Sequence, residues 1–118
     1  MIKTISKIFL TLMLLTSAVF AGEEVTQVRA SHILVKTANE AMQIKKEIDN
    51  GGDFEYYARL YSICPSGQRG GDLGYFGRGQ MVPEFENKAF SLPVGEVSNP
   101  VFSPFGWHLI KVTDRRRT

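Results

Sequence analysis

Two stretches of the chain, one near each end, cluster apolar and β-branched residues as buried strands do. They are residues 28–36 and 106–113. A shorter strand is expected through 73–76, and 97–102 is extended but interrupted by a proline. The polar segment 22–27, before the first strand, is expected to be loose.

Between these strands, apolar side chains recur with helical spacing in three segments. Thr37 and Glu40 have the spacing of a capping box and predict a helix start, and an Asn-Gly-Gly sequence ends that helix. Asp53 can cap a second helix over 54–63, and a proline at the first position suits a third over 83–91. Strands at both ends with helices between them predict an α+β fold, in which helices pack outside an antiparallel sheet.

The first 21 residues have the organisation of a secretory signal peptide. Lysines precede an apolar run of about 13 residues, and small residues occupy the −3 and −1 positions of a cut after Ala21. The alternative is a retained anchor, but the run is well short of the roughly 20 residues that span a bilayer. We therefore expect residues 1–21 to be removed on export. A single domain over 22–118 follows, with a basic C-terminal tail at 115–118.

Composition fits one globular domain and excludes several classes of function. The chain has 118 residues, of which 43% are hydrophobic and 22% charged, and this is too apolar for a disordered chain. Its formal net charge of +2 falls to zero when residues 1–21 and their two lysines are removed, so charge gives no indication of nucleic-acid binding. A single cysteine excludes an internal disulfide and a Cys-rich zinc site.

Six glycines lie between residues 64 and 79 and predict tight turns. The functional alternative is a phosphate-binding loop at 67–71. That segment lacks the Gly-Lys-Ser/Thr ending and does not lead from a strand into a helix. We interpret it as a surface loop.

The two histidines lie on the two clear strands. Side-chain alternation places His32 and His108 on faces shared with apolar residues, so pairing of these strands would set the imidazoles side by side. Each ring could then satisfy a nitrogen of the other. Periodicity alone leaves open the alternative of two unrelated core histidines.

Cys64 is the candidate nucleophile if it lies near these histidines. No acid or asparagine is visibly placed to orient a histidine, and a cysteine is often only a small buried apolar residue. A metal site of Cys64, His32 and His108 lacks the usual ligand spacing. We expect neither a metal nor another cofactor.

Three long motifs, at 30–35 (ASHILV), 70–86 and 100–110, occur in an order and spacing that resemble the parvulin family of peptidyl-prolyl cis/trans isomerases, in particular exported bacterial members. The resemblance extends over almost all of the chain after residue 21. It implies a four-stranded antiparallel sheet surrounded by about four helices, one of them a short helix near 64–71.

The resemblance also implies roles for particular residues. His32 and His108 match two hydrogen-bonded histidines beneath the family's active site, and Ser103 matches a hydroxyl position beside them. Cys64 matches a position held by Cys or Asp near the isomerising amide. The positions that match the family's proline pocket are Leu73, Met81 and Phe85, with Phe76 as an adjacent aromatic and Gln80 as a weaker candidate.

The implied function is isomerisation of X–Pro bonds in proline-containing unfolded or extended polypeptides, by a monomer and without covalent chemistry. Lys36 leads directly to Thr37 with no inserted Arg/Lys cluster, so we expect no requirement for phosphate on the substrate. Export implies the periplasm or envelope of a bacterium, a role in folding, and no stable membrane insertion after cleavage. The alternatives are a chaperone-like binding module with little turnover and a thiol-dependent hydrolase or redox protein.

Overall fold

The computed structural model of the chain describes residues 24–117, and the predicted signal peptide lies outside them. The elements are β1 (Val25–Val35), α1 (Ala38–Asp49), α2 (Phe54–Tyr61), a 3-10 helix (Pro65–Arg69), β2 (Asp72–Gly77), α3 (Pro83–Ser91), β3 (Val101–Ser103) and β4 (Gly106–Arg117). The predicted α+β fold is confirmed. The fourth helix that the resemblance implied is the 3-10 helix.

All four strands form one antiparallel sheet in the order β2-β1-β4-β3. The first and last strands are therefore neighbours at its centre. They pair from Val25 opposite Arg117 to Val35 opposite Trp107, with two register shifts on the way. This pairing brings together two segments from opposite ends of the sequence, each carrying one histidine.

Each face of the sheet has its own apolar core. One core lies between the sheet and α3 and contains Val28, Ala30, Phe76, Phe85, Ala89, Leu92, Ile110 and Val112. The other lies under α1 and α2 and contains Ile33, Val35, Ala41, Ile44, Phe54, Ala58 and Leu109. Leu109 and Ile110 are consecutive but belong to different cores, as strand alternation requires.

The first two helices begin where the sequence predicts. The Thr37 hydroxyl accepts a hydrogen bond from the Glu40 backbone N–H at 3.2 Å, and the Asp53 carboxylate accepts one from the Tyr56 N–H at 3.2 Å. Such caps satisfy amides that have no partner within the helix. The third helix begins at Pro83, as predicted, without a side-chain cap.

The second helix ends at Tyr61, two residues earlier than predicted, because the next residues form hydrogen bonds with β1. Ser62 is extended, and its hydroxyl accepts a hydrogen bond from the Leu34 N–H at 3.1 Å. The Ile63 N–H then donates to the Leu34 carbonyl at 2.8 Å. Tertiary hydrogen bonds therefore replace the helix's last turn.

Both central strands are longer than predicted. The segment expected to be loose already enters β1 at Val25, and the expected basic tail is, through Arg117, the end of β4 paired with the start of β1. The guanidinium of Arg116 stacks over the Tyr75 ring at 3.5 Å. Pairing and stacking hold this segment extended although arginine has no strong strand preference.

The segment predicted as extended at 97–102 forms a strand only over Val101–Ser103, preceded by a single bridge between Val97 and Lys111. Within residues 24–117, no helix has the length and apolar character that crossing a membrane requires.

Candidate active site

A cavity of about 380 Å³ opens on the face of the sheet covered by α3. The strands β1, β2 and β4, the start of α3 and the connecting loops all contribute to it. Its lining is largely apolar, with a few polar groups. The lining residues are His32, Leu34, Cys64, Leu73, Gln80, Met81, Val82, Phe85, Phe105 and His108.

The two histidines form a hydrogen-bonded pair at the cavity floor. Leu34 lies opposite His108 and His32 opposite Ile110, so the imidazoles are diagonal neighbours on one face. Their Nδ1 atoms are 3.0 Å apart. His32 is 5% exposed and His108 is 3% exposed. The expectation of side-by-side imidazoles is confirmed.

Ser103 extends this pair into a chain of three polar groups. Its hydroxyl lies 2.6 Å from His108 Nε2 and also accepts a hydrogen bond from the Phe105 N–H at 3.2 Å. At the other end of the chain, His32 Nε2 is buried and has no hydrogen-bond partner within residues 24–117. The chain can polarise in either direction, and in both cases it ends on this buried nitrogen.

Burial keeps both imidazoles neutral near neutral pH. Burial, and to a lesser extent the proximity of His108, lowers the pKa of His32 to about 4. Burial also lowers the pKa of His108. Each neutral ring carries one N–H, so one ring donates to the other through the Nδ1 atoms.

Two glycines allow neighbouring segments of the backbone to approach β1 closely. The His32 N–H donates to the Gly71 carbonyl at 2.9 Å, and a Cβ on Gly71 would lie 2.4 Å from the His32 carbonyl oxygen. A Cβ on Gly106 would lie 2.7 Å from the Val35 carbonyl oxygen. Both glycines have positive φ, so each position favours glycine both for its conformation and for the space it leaves.

Cys64 lines the cavity and is not paired with a histidine. Its Sγ accepts a hydrogen bond from the Ser66 hydroxyl at 3.2 Å, whereas His32 Nε2 has no hydrogen-bond partner within the described chain. A Cys–His pair of the kind that activates a nucleophile is therefore not formed here.

The cysteine and the histidines also do not assemble a metal site. Among residues 24–117, no three His, Cys, Asp or Glu side chains lie in a group that could hold a metal ion.

Leu73 and Met81, which line the cavity, pack against the apolar cluster that contains Phe85, and we call these three residues the apolar end of the cavity. The Phe85 ring meets both imidazoles edge-on, with centroids 5.5 Å from His32 and 5.3 Å from His108. The expected pocket residue Phe76 does not line the cavity: it is buried beneath Phe85, with centroids 5.9 Å apart. Its role in the structure is to support the Phe85 ring from behind.

Gln80 lies at the rim of the cavity and has a structural contact as well. Its Oε1 accepts a hydrogen bond from the Gly77 N–H at 2.8 Å. One residue earlier, the Gly79 N–H donates to Glu86 on α3. These bonds fix the loop that carries Met81.

Three lining residues were not singled out from the sequence: Leu34, Val82 and Phe105. The alternation of β1 already placed Leu34 on the face of His32, so its signal was available. Phe105 lies in the two-residue turn between β3 and β4, where no periodicity applies.

Comparison with known proteins adds a family match. Residues 25–114 match the family described as "Rotamase: PPIC-type PPIASE domain". The foldase protein PrsA of Geobacillus kaustophilus is 52% identical over 92 residues, which cover 77% of this chain and 33% of that protein. This chain spans less than half the length of such curated relatives.

Solved structures agree with this match. The peptidyl-prolyl isomerase PrsA of Bacillus anthracis superposes with a TM-score of 0.76 at 48% identity, covering 78% of this chain and 43% of that one. A second similar structure comes from a study of two SurA-like chaperones of Campylobacter jejuni, PEB4 and the periplasmic protein Cj1289. It has a TM-score of 0.74 at 29% identity and covers 97% of this chain and 54% of that one.

Proposed function

This chain belongs to the parvulin, or PPIC-type, family of peptidyl-prolyl cis/trans isomerases, and we propose that it isomerises X–Pro bonds in the cavity on the face of the sheet that α3 covers. The observation that carries the proposal is the juxtaposition of an apolar end, formed by Leu73, Met81 and Phe85, with a buried neutral histidine pair. The first can hold a proline ring while the second borders the amide.

The chemistry required of such a site is small. An X–Pro bond interconverts without any bond breaking, but twisting a peptide bond loses C–N resonance and costs about 18–20 kcal/mol for peptide bonds in general. A catalyst needs to bind the twisted amide better than either planar isomer. A ring gripped in the apolar end stays fixed while the acyl side rotates.

The surroundings of the amide favour the twisted state in two ways. The planar amide is the more charge-separated form, so an apolar cavity that excludes water destabilises it relative to the twisted form. The Cys64 sulfur and the Ser103–His108–His32 chain then supply a fixed local field. In this proposal Cys64 acts electrostatically and forms no bond to the substrate.

We propose proline-containing unfolded or extended polypeptides as the substrates, acted on by a monomer outside the cytoplasm of a bacterium. The names of the similar proteins, a foldase and two SurA-like chaperones of which one is called periplasmic, support this assignment. Slow X–Pro isomerisation limits the folding of many chains. A signal peptide at 1–21 followed by one domain would deliver the protein to that location.

The experiment is acceleration of cis/trans isomerisation in a short Ala–Pro peptide by the full chain and by two methionine variants. Met81→Ala removes a wall of the apolar end, and we expect kcat/KM to fall about five- to thirtyfold, since about 1–2 kcal/mol of apolar contact is lost. Met42→Ala is the matched control, because Met42 is 59% exposed on α1 and lines no part of this cavity.

Two results would count against the isomerase. Equal losses in the two methionine variants would mean that the apolar end does not hold proline. Peptide binding by the wild type without acceleration would favour the second candidate, a chaperone-like binding module on the same scaffold.

Phosphate on the residue before proline is expected to give no advantage. Among residues 24–117, no arginine or lysine lines the cavity, and the β1–α1 connection consists only of Lys36 and Thr37. A phosphate bound there would lose its hydration without gaining a bidentate hydrogen bond from an arginine. We expect kcat/KM for a phosphoserine–Pro peptide to be no higher than for its Ser–Pro counterpart, and a tenfold preference for the phosphopeptide would contradict this.

A further inference from the structure

A second cavity, which we call the polar pocket, lies on the opposite face of the sheet beside α2. Its volume is about 500 Å³, and side chains of β1, β2 and β4 form its floor. Consecutive residues of β1 face the two cavities, since Ser31 lines the polar pocket and His32 lines the cavity described above. The two cavities have no lining residue in common, so the polar pocket is a separate site.

Ser31 brings a buried hydroxyl to the polar pocket. The residue is 4% exposed, it lines the pocket, and within residues 24–117 its side chain makes no hydrogen bond. The other two hydroxyls of the pocket have acceptors: Thr113 donates to the Arg29 carbonyl at 3.3 Å, and Tyr75 donates to Asp114. Since buried hydroxyls are nearly always paired, Ser31 offers an unused donor to a ligand in the pocket.

The three carboxylates that line the polar pocket already have partners in the protein. Asp72 accepts hydrogen bonds from Arg29 Nε at 3.1 Å and from Arg29 Nη2 at 2.5 Å. Glu55 lies 3.5 Å from Lys111 Nζ, and the third carboxylate, Asp114, accepts the tyrosine hydroxyl. These acids are therefore engaged before a ligand enters.

Arg69 is the cation of the polar pocket that has no ion pair. Its Nη2 donates to the Asp72 backbone carbonyl at 3.3 Å, which leaves its other N–H groups for a ligand. Arg59 approaches from α2, because a Cβ on Gly70 would lie 3.4 Å from Arg59 Nη1. In the part of the chain that the structure describes, neither guanidinium forms a salt bridge with a carboxylate. The side of the pocket next to Gly70 is therefore positively charged.

This combination of donors suits a carboxylate. Guanidinium N–H groups bind a carboxylate through charge-assisted hydrogen bonds, and a hydroxyl supplies one more donor. A phosphate suits the pocket less well, because it carries nearly two negative charges and three carboxylates line the same pocket.

We propose that Ser31 and Arg69 form a binding site for the side-chain carboxylate of a glutamate or aspartate in an unfolded polypeptide. The family's action on X–Pro bonds makes a polypeptide the partner that supplies this carboxylate. A polypeptide held in the polar pocket brings its prolines to the cavity on the other face of β1 at a raised effective concentration. Binding at this site does not itself require isomerase activity.

The test is an NMR titration of the isotope-labelled full chain with two proline-free peptides of glycine and serine. The peptides have blocked termini and differ only in one central residue, Glu or Gln. We expect saturable shifts of the backbone amides of Ser31, Arg69 and Gly70, with a Kd at least about fivefold lower for the Glu peptide.

Three variants locate the binding. Arg69→Gln and Ser31→Ala are each expected to raise the Kd of the Glu peptide at least about fivefold. Ser31→Ala is also expected to leave the urea midpoint unchanged, because its hydroxyl loses no partner in the fold. Lys46→Gln is the matched control: it removes the same charge from an exposed side chain of α1 that does not line the polar pocket, and the Kd is expected to stay the same.

Several results would overturn the site. Equal Kd values for the two peptides, or an unchanged Kd of the Glu peptide in Arg69→Gln, would show that no carboxylate is recognised there. A lower urea midpoint in Ser31→Ala would assign the hydroxyl a structural role instead. Inorganic phosphate that shifted the same amides at a lower Kd than the Glu peptide would replace the polypeptide by a phosphate ligand. The isomerase assignment is unaffected by any of these results, because the peptides contain no proline.

Discussion

At the scale of single residues, the Ser103 hydroxyl makes two contacts that connect different parts of the site. It lies within hydrogen-bonding distance of His108 Nε2 and accepts a bond from the Phe105 N–H. Through these contacts the cavity floor and its rim share one side chain. A hydroxyl can do this because it donates one hydrogen bond and accepts two.

Cys64 provides the prediction that belongs at this scale. If it acts through its local field, Cys64→Ser is expected to retain most of the isomerase activity, while Cys64→Ala loses about tenfold in kcat/KM, or about 1.4 kcal/mol. In the described part of the chain, the sulfur is hydrogen-bonded to a hydroxyl and not to an imidazole, so no base there is placed to activate it. Activity on the Ala–Pro peptide measures the loss.

Mass spectrometry of the enzyme incubated with substrate is the companion measurement. An unchanged protein mass is expected throughout turnover. A thioester trapped on Cys64, with both variants inactive, would establish covalent catalysis instead.

At the scale of elements, the site depends on how closely the loop before β2 approaches β1. Gly71 has φ +90° and lies against the His32 carbonyl. Its own carbonyl accepts the His32 N–H. The 3-10 helix and the turn after it therefore set the position of a histidine that belongs to another strand.

Gly71→Ala is expected to destabilise the fold by at least about 2 kcal/mol, because left-handed strain is added to a backbone collision. The matched variant is Gly74→Ala: Gly74 also has positive φ, at +73°, but a Cβ there would meet nothing within 4 Å. That variant is expected to cost only about 1 kcal/mol. Urea midpoints of both variants measure the difference, and equal costs would show that the approach to His32 is unimportant.

At the scale of the whole molecule, the buried histidines make stability depend on pH. The folded protein holds the pKa of His32 at about 4, whereas the unfolded chain has the ordinary value of about 6.5. Protonation therefore favours the unfolded state. The stabilisation is fully present above pH 6.5, declines as the pH falls, and is lost once the pH passes below 4.

The expected loss from His32 is about 2 kcal/mol between pH 7 and pH 5 and about 3 kcal/mol by pH 4. His108 shifts in the same direction and adds to it. Denaturant midpoints measured across this range test the loss, and the interval from pH 7 to pH 9 is the internal control, since both rings stay neutral there. An NMR titration that placed the His32 midpoint near 6.5 would contradict the account.

Local sequence signals determined the elements of this protein. Caps at Thr37 and Asp53 and a proline at position 83 set the helix starts, because capping needs only residues within one turn. The long motifs indicated the fold and the family, and strand alternation indicated which face of its own strand each histidine occupies. That both rings meet was implied by the resemblance and left open by strand parity, because parity gives the face of each ring and not the pairing of the two strands.

The tertiary structure alone decided what depends on distant partners. Pairing with the start of β1 turned the expected basic tail into the end of β4, and bonds to Leu34 ended α2 early. The same long-range packing put Phe76 beneath Phe85 instead of in the cavity, and brought Phe105 from a turn without periodicity to its rim. Sequence periodicity reports which face a side chain takes, but not how far its element extends or which cavity it reaches, since those are set by contacts between residues far apart in the chain.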